Sequence, residues 1–203
     1  MDFQKGIRKD KKLVFLNEFA NEVLVCCPSC KSQAQITNDN SSFNTKPKFH
    51  CSNCYKHLED DSWYGPVVLS PKSKNCDFCG SAISEVHQKG FERDVSIKVS
   101  CKNCGKTKPY DAEHLRIVSD LRNPRDPHFG LQLWLQSGFD GSILWAYNTA
   151  HLDFLEEFVS AKLREEKAVS RHSLTQTMPL FILKASNRTK LLKLISKMRK
   201  TIN

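Results

Sequence analysis

Residues 27–30 read CPSC, and the same Cys-x-x-Cys pattern returns as CSNC at 51–54, CDFC at 76–79 and CKNC at 101–104. Two residues between cysteines allow a tight turn to direct both thiolates at one ion. A hairpin can then bring a second such turn back to complete a tetrahedron. The 20 residues from 31 to 50 and the 21 residues from 80 to 100 separate the members of each pair of turns. The pattern predicts two successive zinc ribbons.

The predicted ligands of the two sites are Cys27, Cys30, Cys51 and Cys54 for the first, and Cys76, Cys79, Cys101 and Cys104 for the second. Four thiolates leave no coordination position for water or substrate, so both zinc ions are expected to be structural. Ribbons this small bury little apolar surface. Metal binding should therefore supply about 10 kcal/mol or more of folding free energy per site.

A disulfide framework is the alternative use of so many cysteines, and it requires an oxidising compartment. The basic N-terminal residues lead into an apolar run, Leu13 to Leu16, that is too short for a signal-peptide core. No stretch approaches the roughly 20 apolar residues of a membrane span. We therefore expect a cytoplasmic protein with reduced thiols. Cys26, His50 and His57 stay open as replacement ligands, with packing or surface roles as the default.

The charge of the chain is unevenly distributed. The net charge is +9, from 31 Lys and Arg against 22 Asp and Glu. Residues 167–203 contain 9 basic residues and no acidic one, so the whole excess lies in this segment. Such a patch attracts polyanions, most often nucleic acid, with salt-sensitive affinity. The alternative is a solvated helix face that only aids solubility.

Three units follow from these patterns: residues 1–71 with an N-terminal arm and the first ribbon, 72–127 with the second ribbon and a connector beginning near Pro109, and 128–203. In the third unit, alternating leucines from 131 predict a strand, with a turn at 137–141 and a partner strand at 142–147. Apolar residues at helical spacing predict about three helices: from residue 149 to about 166, around 180–183, and a last one after Asn187. The fold class is small zinc-stabilised β followed by an α+β segment.

No catalytic constellation is evident. The histidines are scattered, and there is neither a nucleophile motif nor a phosphate-binding loop. Asp126, His128 and Asp140 resemble a nuclease site only at a level that chance produces. Trp134, Trp145 and Tyr147 could stack on bases, although sheet packing is the more common role for such residues. We expect a protein that is not an enzyme and has no small-molecule substrate.

Several phrases resemble an uncharacterised bacterial family of tandem zinc-ribbon proteins: WYGPVV at 63–68, FGLQLWLQ at 129–136 and LWAYNTAHLDFLEEFVSAKLRE at 144–165. The resemblance implies a fold and a bacterial source but no activity. The tandem ribbons are also similar to those of transcription factors, RNA polymerase subunits and replication-restart helicases. There, ribbons touch nucleic acid or dock on a partner, an analogy that cannot assign function.

The sequence therefore predicts a nucleic-acid-binding zinc-finger protein, for DNA or RNA, that contacts phosphates without reading sequence. The predicted contact residues are Lys190, Lys193, Lys197, Lys200 and Arg188 in the last helix, and Lys98, Lys102 and Lys106 in the second ribbon. The alternative is an adaptor that docks on a larger bacterial complex through its ribbons or its aromatic hairpin. An exposed apolar patch containing Trp134 and Trp145 would favour the adaptor.

Overall fold

The computed structural model describes residues 14–38, 46–58, 62–83, 87–92, 94–117, 123–161 and 173–202. The predicted basic arm before residue 14, the hairpin tip at 39–45 and the end of the helix predicted to reach residue 166 lie outside these residues. No helix among the described residues is long and apolar enough to cross a membrane.

The first sheet is antiparallel and holds three strands, β1 Glu22–Cys26, β2 Gln33–Thr37 and β3 Lys48–His50, in that order. Val23 of β1 pairs with Ile36 of β2, and Ile36 pairs with Phe49 of β3. All three side chains are buried. The alternation of apolar and polar residues therefore places one face of the sheet in a core. A single 3₁₀ turn, Leu16–Phe19, precedes β1.

The second sheet has four strands, β4 Val67–Pro71, β5 Gln88–Gly90, β6 Ser96–Ser100 and β7 Thr107–Arg116, in the order β5-β4-β7-β6. The sequence predicted the start of a connector near Pro109, because proline is unfavourable inside a sheet. That stretch belongs instead to the long strand β7. Pro109 lies opposite Lys98 of β6, and β4 ends opposite Ala112. Among the described residues, no strand therefore lies on the side where Pro109 lacks an N–H donor.

A β-hairpin follows, with β8 Leu135–Phe139 paired to β9 Ser142–Ala146. Its turn is the two residues Asp140 and Gly141, both at positive φ, which is shorter than the predicted turn at 137–141. The sequence predicted that the hairpin strand begins at residue 131. The residues just before β8 lie beside β1 and not in the hairpin. The N–H of Cys26 donates to Gln132 O at 2.9 Å, and the N–H of Trp134 donates to Leu24 O at 2.9 Å.

Among the described residues of the C-terminal part there are four α-helices, α1 Thr149–Ser160, α2 Leu174–Thr177, α3 Leu180–Leu183 and α4 Arg188–Arg199. Three correspond to predictions, and the single turn α2 lies between the first two predicted helices. The buried residues of α4 are Leu191, Ile195 and Met198. They join a core formed by α1, the hairpin and Leu24 of β1. The helices and hairpin therefore pack directly on the first sheet.

Candidate metal centres and basic surface

Each Cys-x-x-Cys segment forms the same tight turn. In the first, the N–H of Cys27 donates to Ser32 O at 2.9 Å and the N–H of Lys31 donates back to Cys27 O at 3.0 Å. The same pair of bonds recurs at Cys51, Cys76 and Cys101. The residue after the second cysteine has positive φ in every case: Lys31, Tyr55, Gly80 and Gly105. This conformation turns the chain so that both sulfurs point the same way.

The turns bring the eight predicted ligands together as two groups of four, in which the sulfurs of each group lie within 4.8 Å of one another. In the first group Cys27 and Cys54 are 3.6 Å apart, and Cys30 and Cys51 are 3.5 Å apart. The corresponding distances in the second group are 3.8 Å and 3.7 Å. A tetrahedron with zinc–sulfur bonds of about 2.3 Å has sulfur–sulfur edges of about 3.8 Å. Both groups can hold a metal ion, and their donor set is consistent with zinc.

The same distances weigh against the disulfide alternative. A disulfide needs sulfurs about 2.05 Å apart. All nine cysteines are free thiols in the structure.

In each group, neighbouring hydrogen-bond donors stabilise the thiolate form of one cysteine. Asn103 Nδ2 lies 3.7 Å from Cys79 Sγ and 2.9 Å from Ser81 Oγ. Hydrogen bonds from the backbone and hydroxyl of Ser81 and from Asn103 lower the pKa of Cys79 to about 6. In the first group, hydrogen bonds from Asn53 and then from Ser32 lower the pKa of Cys30 to about 5. Each ribbon therefore carries an equivalent Asn and Ser pair that supports a charged sulfur.

One other sulfur in each group is disfavoured as a thiolate when no cation is near it. The backbone N–H of Lys56 lowers the pKa of Cys54. Burial and hydrogen bonds to the other three cysteines outweigh it and raise that pKa to about 12. The pKa of Cys104 is raised to about 11 in the same manner, against the N–H of Lys106. Four thiolates cannot share so small a volume at neutral pH unless a positive ion compensates their charge.

The other candidate ligands lie outside both groups. Cys26 ends β1 with its sulfur 4.0 Å from Leu133 O, and burial raises its pKa. His50 and His57 face each other across an isolated β-bridge, with ring centroids 5.2 Å apart. Both groups are therefore composed of cysteine alone. Asn53, Asn103, Ser32 and Ser81 are the functional residues that sequence reasoning missed. Their equivalent positions in the two ribbons were the available signal.

The predicted phosphate-binding lysines of the last helix lie on its outer face: Lys190, Lys193, Lys197 and Lys200 are all exposed. None of the four has an ion pair with an acidic residue among the described part of the chain. Arg188 is different. Its guanidinium donates to the carbonyl oxygens of Val159 at 3.0 Å and Ala161 at 2.9 Å, at the C-terminal end of α1. Arg188 therefore closes a helix end and is not displayed with the lysines.

The lysines predicted in the second ribbon, Lys98, Lys102 and Lys106, are also exposed. Lys106 Nζ lies 4.8 Å from the centroid of the Phe78 ring, which is half-exposed. This pair brings a cation and an aromatic face together at the surface. The nearby Lys108 is not part of that surface, because it pairs with Asp77.

The tryptophans of the hairpin are partly buried, as the packing interpretation predicted. Trp134 Nε1 donates to Thr201 O at 2.9 Å, and its ring packs on the helical core. Trp145 lies 5.2 Å from the Tyr147 ring and 5.6 Å from the His151 ring, measured between centroids. Asp126, His128 and Asp140 form no metal-binding group among the described residues.

In comparisons with protein-family models, curated proteins and solved structures, the chain matches none. The arguments about function therefore rest on the residues and their geometry. The resemblance to a bacterial ribbon family stays a prediction.

Proposed function

We propose that the protein is a non-enzymatic, zinc-stabilised nucleic-acid-binding protein that contacts phosphates through the outer face of α4. The observation that carries this proposal is a row of four exposed lysines, three on α4 and Lys200 at its C-cap. The helix has no acidic residue, and the row lies opposite the buried Leu191, Ile195 and Met198. We call Lys190, Lys193, Lys197 and Lys200 the lysine row.

The dimensions of the lysine row suit a phosphate backbone. At 100° per residue, the four side chains leave α4 within an arc of about 80°. At 1.5 Å per residue, the row is about 15 Å long, close to the rise of four to five nucleotides along one strand. Several phosphates of one strand could therefore be contacted at once.

Two arginines fix α4, which carries the lysine row, against α1. Arg199 pairs with Asp153 at 2.6 Å and with Glu156 at 2.6 Å, both on α1. Arg188 bonds the last carbonyls of α1, as described above. These contacts fix α4 against α1 and leave the lysines as the charges that are available to a ligand.

Zinc in both cysteine groups would be structural, since four thiolates close the coordination sphere. The ribbons would then form a rigid support, with Lys98, Lys102 and Lys106 as a second basic surface. Lysine contacts to phosphate position a protein without reading bases. We therefore expect mainly non-specific binding, with dissociation constants of about 10⁻⁴ to 10⁻⁶ M at physiological salt.

The test is fluorescence anisotropy of labelled single-stranded DNA, duplex DNA and RNA with the zinc-loaded protein. It compares the wild type with the variant in which Lys190, Lys193, Lys197 and Lys200 are all changed to Glu. The matched control reverses four other exposed lysines, Lys48, Lys72, Lys74 and Lys89, and has the same net charge. We expect binding to be lost in the row variant and largely retained in the control. Equal losses in the two variants would reject the lysine row as the site.

A second candidate, an adaptor for a larger complex, is favoured by a different observation. The exposed large apolar side chains include Leu115, Val95 and Phe91 of the second ribbon. Leu115 pairs across the sheet with the half-buried Val68. The hairpin tryptophans do not contribute to such a surface, because they are engaged in packing. Absence of nucleic-acid binding at low salt would favour the adaptor, and Leu115→Ser would then be the first variant to test for loss of a co-purifying protein.

A further inference from the structure

A fifth turn of the same kind lies at residues 126–131, where there is no cysteine. The N–H of Asp126 donates to Leu131 O at 2.9 Å, as the N–H of Cys76 donates to Ser81 O at 2.8 Å. Gly130 has φ +66, close to the φ of +71 at Gly80 and Gly105. It lies four residues after Asp126, as Gly80 and Gly105 do after Cys76 and Cys101. Asp126-Pro127-His128-Phe129-Gly130 therefore shares with Cys76-Asp77-Phe78-Cys79-Gly80 the closing backbone bond and the positive φ of the glycine.

The flanking residues repeat as well. Each turn is bracketed by one antiparallel pair, and the five pairs are Cys26 with Gln33, His50 with His57, Asn75 with Ala82, Ser100 with Thr107, and Arg125 with Gln132. The turns begin at residues 27, 51, 76, 101 and 126, at intervals of 24, 25, 25 and 25 residues. A fixed period of this kind indicates an internal repeat. The described residues therefore contain five turns in the same repeating frame, four with cysteines and one without.

In the fifth copy, Asp126 occupies the position of the first cysteine and is fully buried. Its Oδ1 accepts the N–H of His128 at 2.8 Å and of Phe129 at 2.7 Å, and its Oδ2 accepts the N–H of Leu131 at 2.5 Å. Cys76 likewise accepts backbone hydrogen bonds from the residues two and three positions later, Phe78 and Cys79. The carboxyl group therefore satisfies the donors that a metal-bound thiolate satisfies elsewhere, and it needs no ion to hold the turn closed.

Phe129 occupies the position of the second cysteine and packs in the core that contains two ligands of the first metal centre. Its ring is fully buried, with its centroid 6.4 Å from that of Phe49 in an edge-on arrangement. The same core contains Cys27 and Cys51. A backbone bond joins the end of the turn to the first sheet, since the N–H of Cys26 donates to Gln132 O at 2.9 Å. A second bond joins the turn to the segment between the ribbons, where the N–H of Tyr64 donates to Phe129 O at 2.7 Å. The turn also approaches the core of the second ribbon, because a Cβ at Gly130 would lie 2.9 Å from the Trp63 ring. That core contains none of the four cysteines of the second centre.

We propose that residues 125–132 are a metal-free copy of the cysteine turn, here called the fifth knuckle, which Asp126 holds closed. The fifth knuckle covers the first metal centre and slows release of its ion without affecting release from the second centre. This inference rests on metal binding by both cysteine groups and is independent of nucleic-acid binding. Asp126 is a positioning residue here, because it acts on the centre through Phe129.

The test follows metal release from each centre separately. The protein is loaded with cadmium-113, and its cadmium NMR spectrum gives one resonance per centre, assigned through coupling to the cysteine Hβ protons. Excess EDTA is then added, and the decay of each resonance is followed with time. In Asp126→Asn the amide nitrogen must face at least one backbone N–H, so the turn loses an acceptor. We expect release from the first centre to become about tenfold faster or more, and release from the second to stay within about twofold.

The control is Asp140→Asn, which changes an exposed acid in the hairpin turn and should leave both rates unchanged. Unchanged or equally accelerated release at both centres in Asp126→Asn would overturn the proposal, as would three metal ions per chain in the wild type. If Asp126→Asn does not fold, Phe129→Leu keeps the Asp126 bonds and removes the ring contact with Phe49. That variant must then show the same selective acceleration at the first centre, and equal rates would reject the proposal.

Discussion

At the scale of single residues, His151 makes the stability of the folded protein depend on pH. It is almost fully buried, its ring is stacked on Phe19 with centroids 4.7 Å apart, and its Nδ1 accepts the N–H of Tyr147 at 3.3 Å. Burial lowers the pKa of His151 to about 4. The folded protein therefore holds this ring neutral at pH values where the unfolded chain would protonate it.

The resulting pH dependence has a definite sign. The contribution of His151 to stability is fully present above its unfolded pKa of about 6.5 and is lost as pH falls towards 4, by about 3 kcal/mol in total. Urea unfolding between pH 7 and pH 5 should therefore show a smaller loss of unfolding free energy in His151→Phe than in the wild type. Acid release of metal is common to both proteins and cancels in the comparison. Parallel pH profiles would contradict the assignment.

Asn148 is the second residue whose role is defined by its bonds. Its Oδ1 accepts the N–H of His151 at 2.9 Å and caps α1, while its Nδ2 donates to Phe19 O at 2.9 Å and Glu22 O at 2.8 Å. Asn148→Ser should keep the cap but leave the two carbonyls without their donor, at a cost of about 1–3 kcal/mol. Asn148→Ala should cost about 1 kcal/mol more. Equal unfolding free energies for the two variants by urea titration would argue against separate roles.

At the scale of elements, two of the turns have a glycine at the same position, and the surroundings of the two glycines differ. Gly105 and Gly130 both have positive φ at the same place in the turn. A Cβ at Gly105 would meet nothing within 4 Å, whereas a Cβ at Gly130 would lie 2.5 Å from Gly65 N. Gly105→Ala should therefore cost only backbone strain, about 1–2 kcal/mol. Gly130→Ala should cost clearly more, since backbone must move. Similar thermal denaturation midpoints for the two variants would show that the fifth knuckle is not packed against Gly65.

Elements that depend on local spacing were predictable from the sequence. Each Cys-x-x-Cys turn is determined within six residues, and the buried stripe of α4 follows from its period. Strand β7 was missed because Pro109 is tolerated only where β4 has already ended, which is a property of the sheet and not of the segment. The fifth knuckle was missed because Asp126 replaces a cysteine by hydrogen-bonding chemistry. Its Gly130 and its 25-residue offset from Cys101 were the available signals.

At the scale of the whole molecule, the cores predict how the protein responds to metal removal. The helical core formed by α1, α4 and the hairpin contains no cysteine ligand, whereas Cys27 and Cys51 lie within the core of the first sheet. Chelation should therefore disrupt the first ribbon sheet and the cysteine turns of the second, and leave much of the helical circular dichroism signal. Zinc should restore the sheets at two ions per chain. Complete and simultaneous loss of helical signal on chelation would contradict this division.

The arrangement of these cores was less accessible from sequence than the sites themselves. The eight ligands and the lysine row are encoded by residues close together in the chain. The docking of 129–134 on β1 depends instead on contacts between residues about one hundred positions apart, such as the bond from Trp134 N to Leu24 O. Arg188 illustrates the same point, because its charge suggested a phosphate contact and only the position of α1 shows that it closes a helix end.

The most direct test of the central claim is the salt dependence of nucleic-acid affinity in the wild type and in the variant with all four lysines of the row changed to Gln. Each phosphate contact contributes about 0.9 to the slope of log K against log salt for duplex DNA, and about 0.7 for a single strand. The account predicts that the slope becomes shallower by about 3 to 4 in the variant. An unchanged slope, with the variant still folded and zinc-loaded, would show that the lysine row does not contact phosphate.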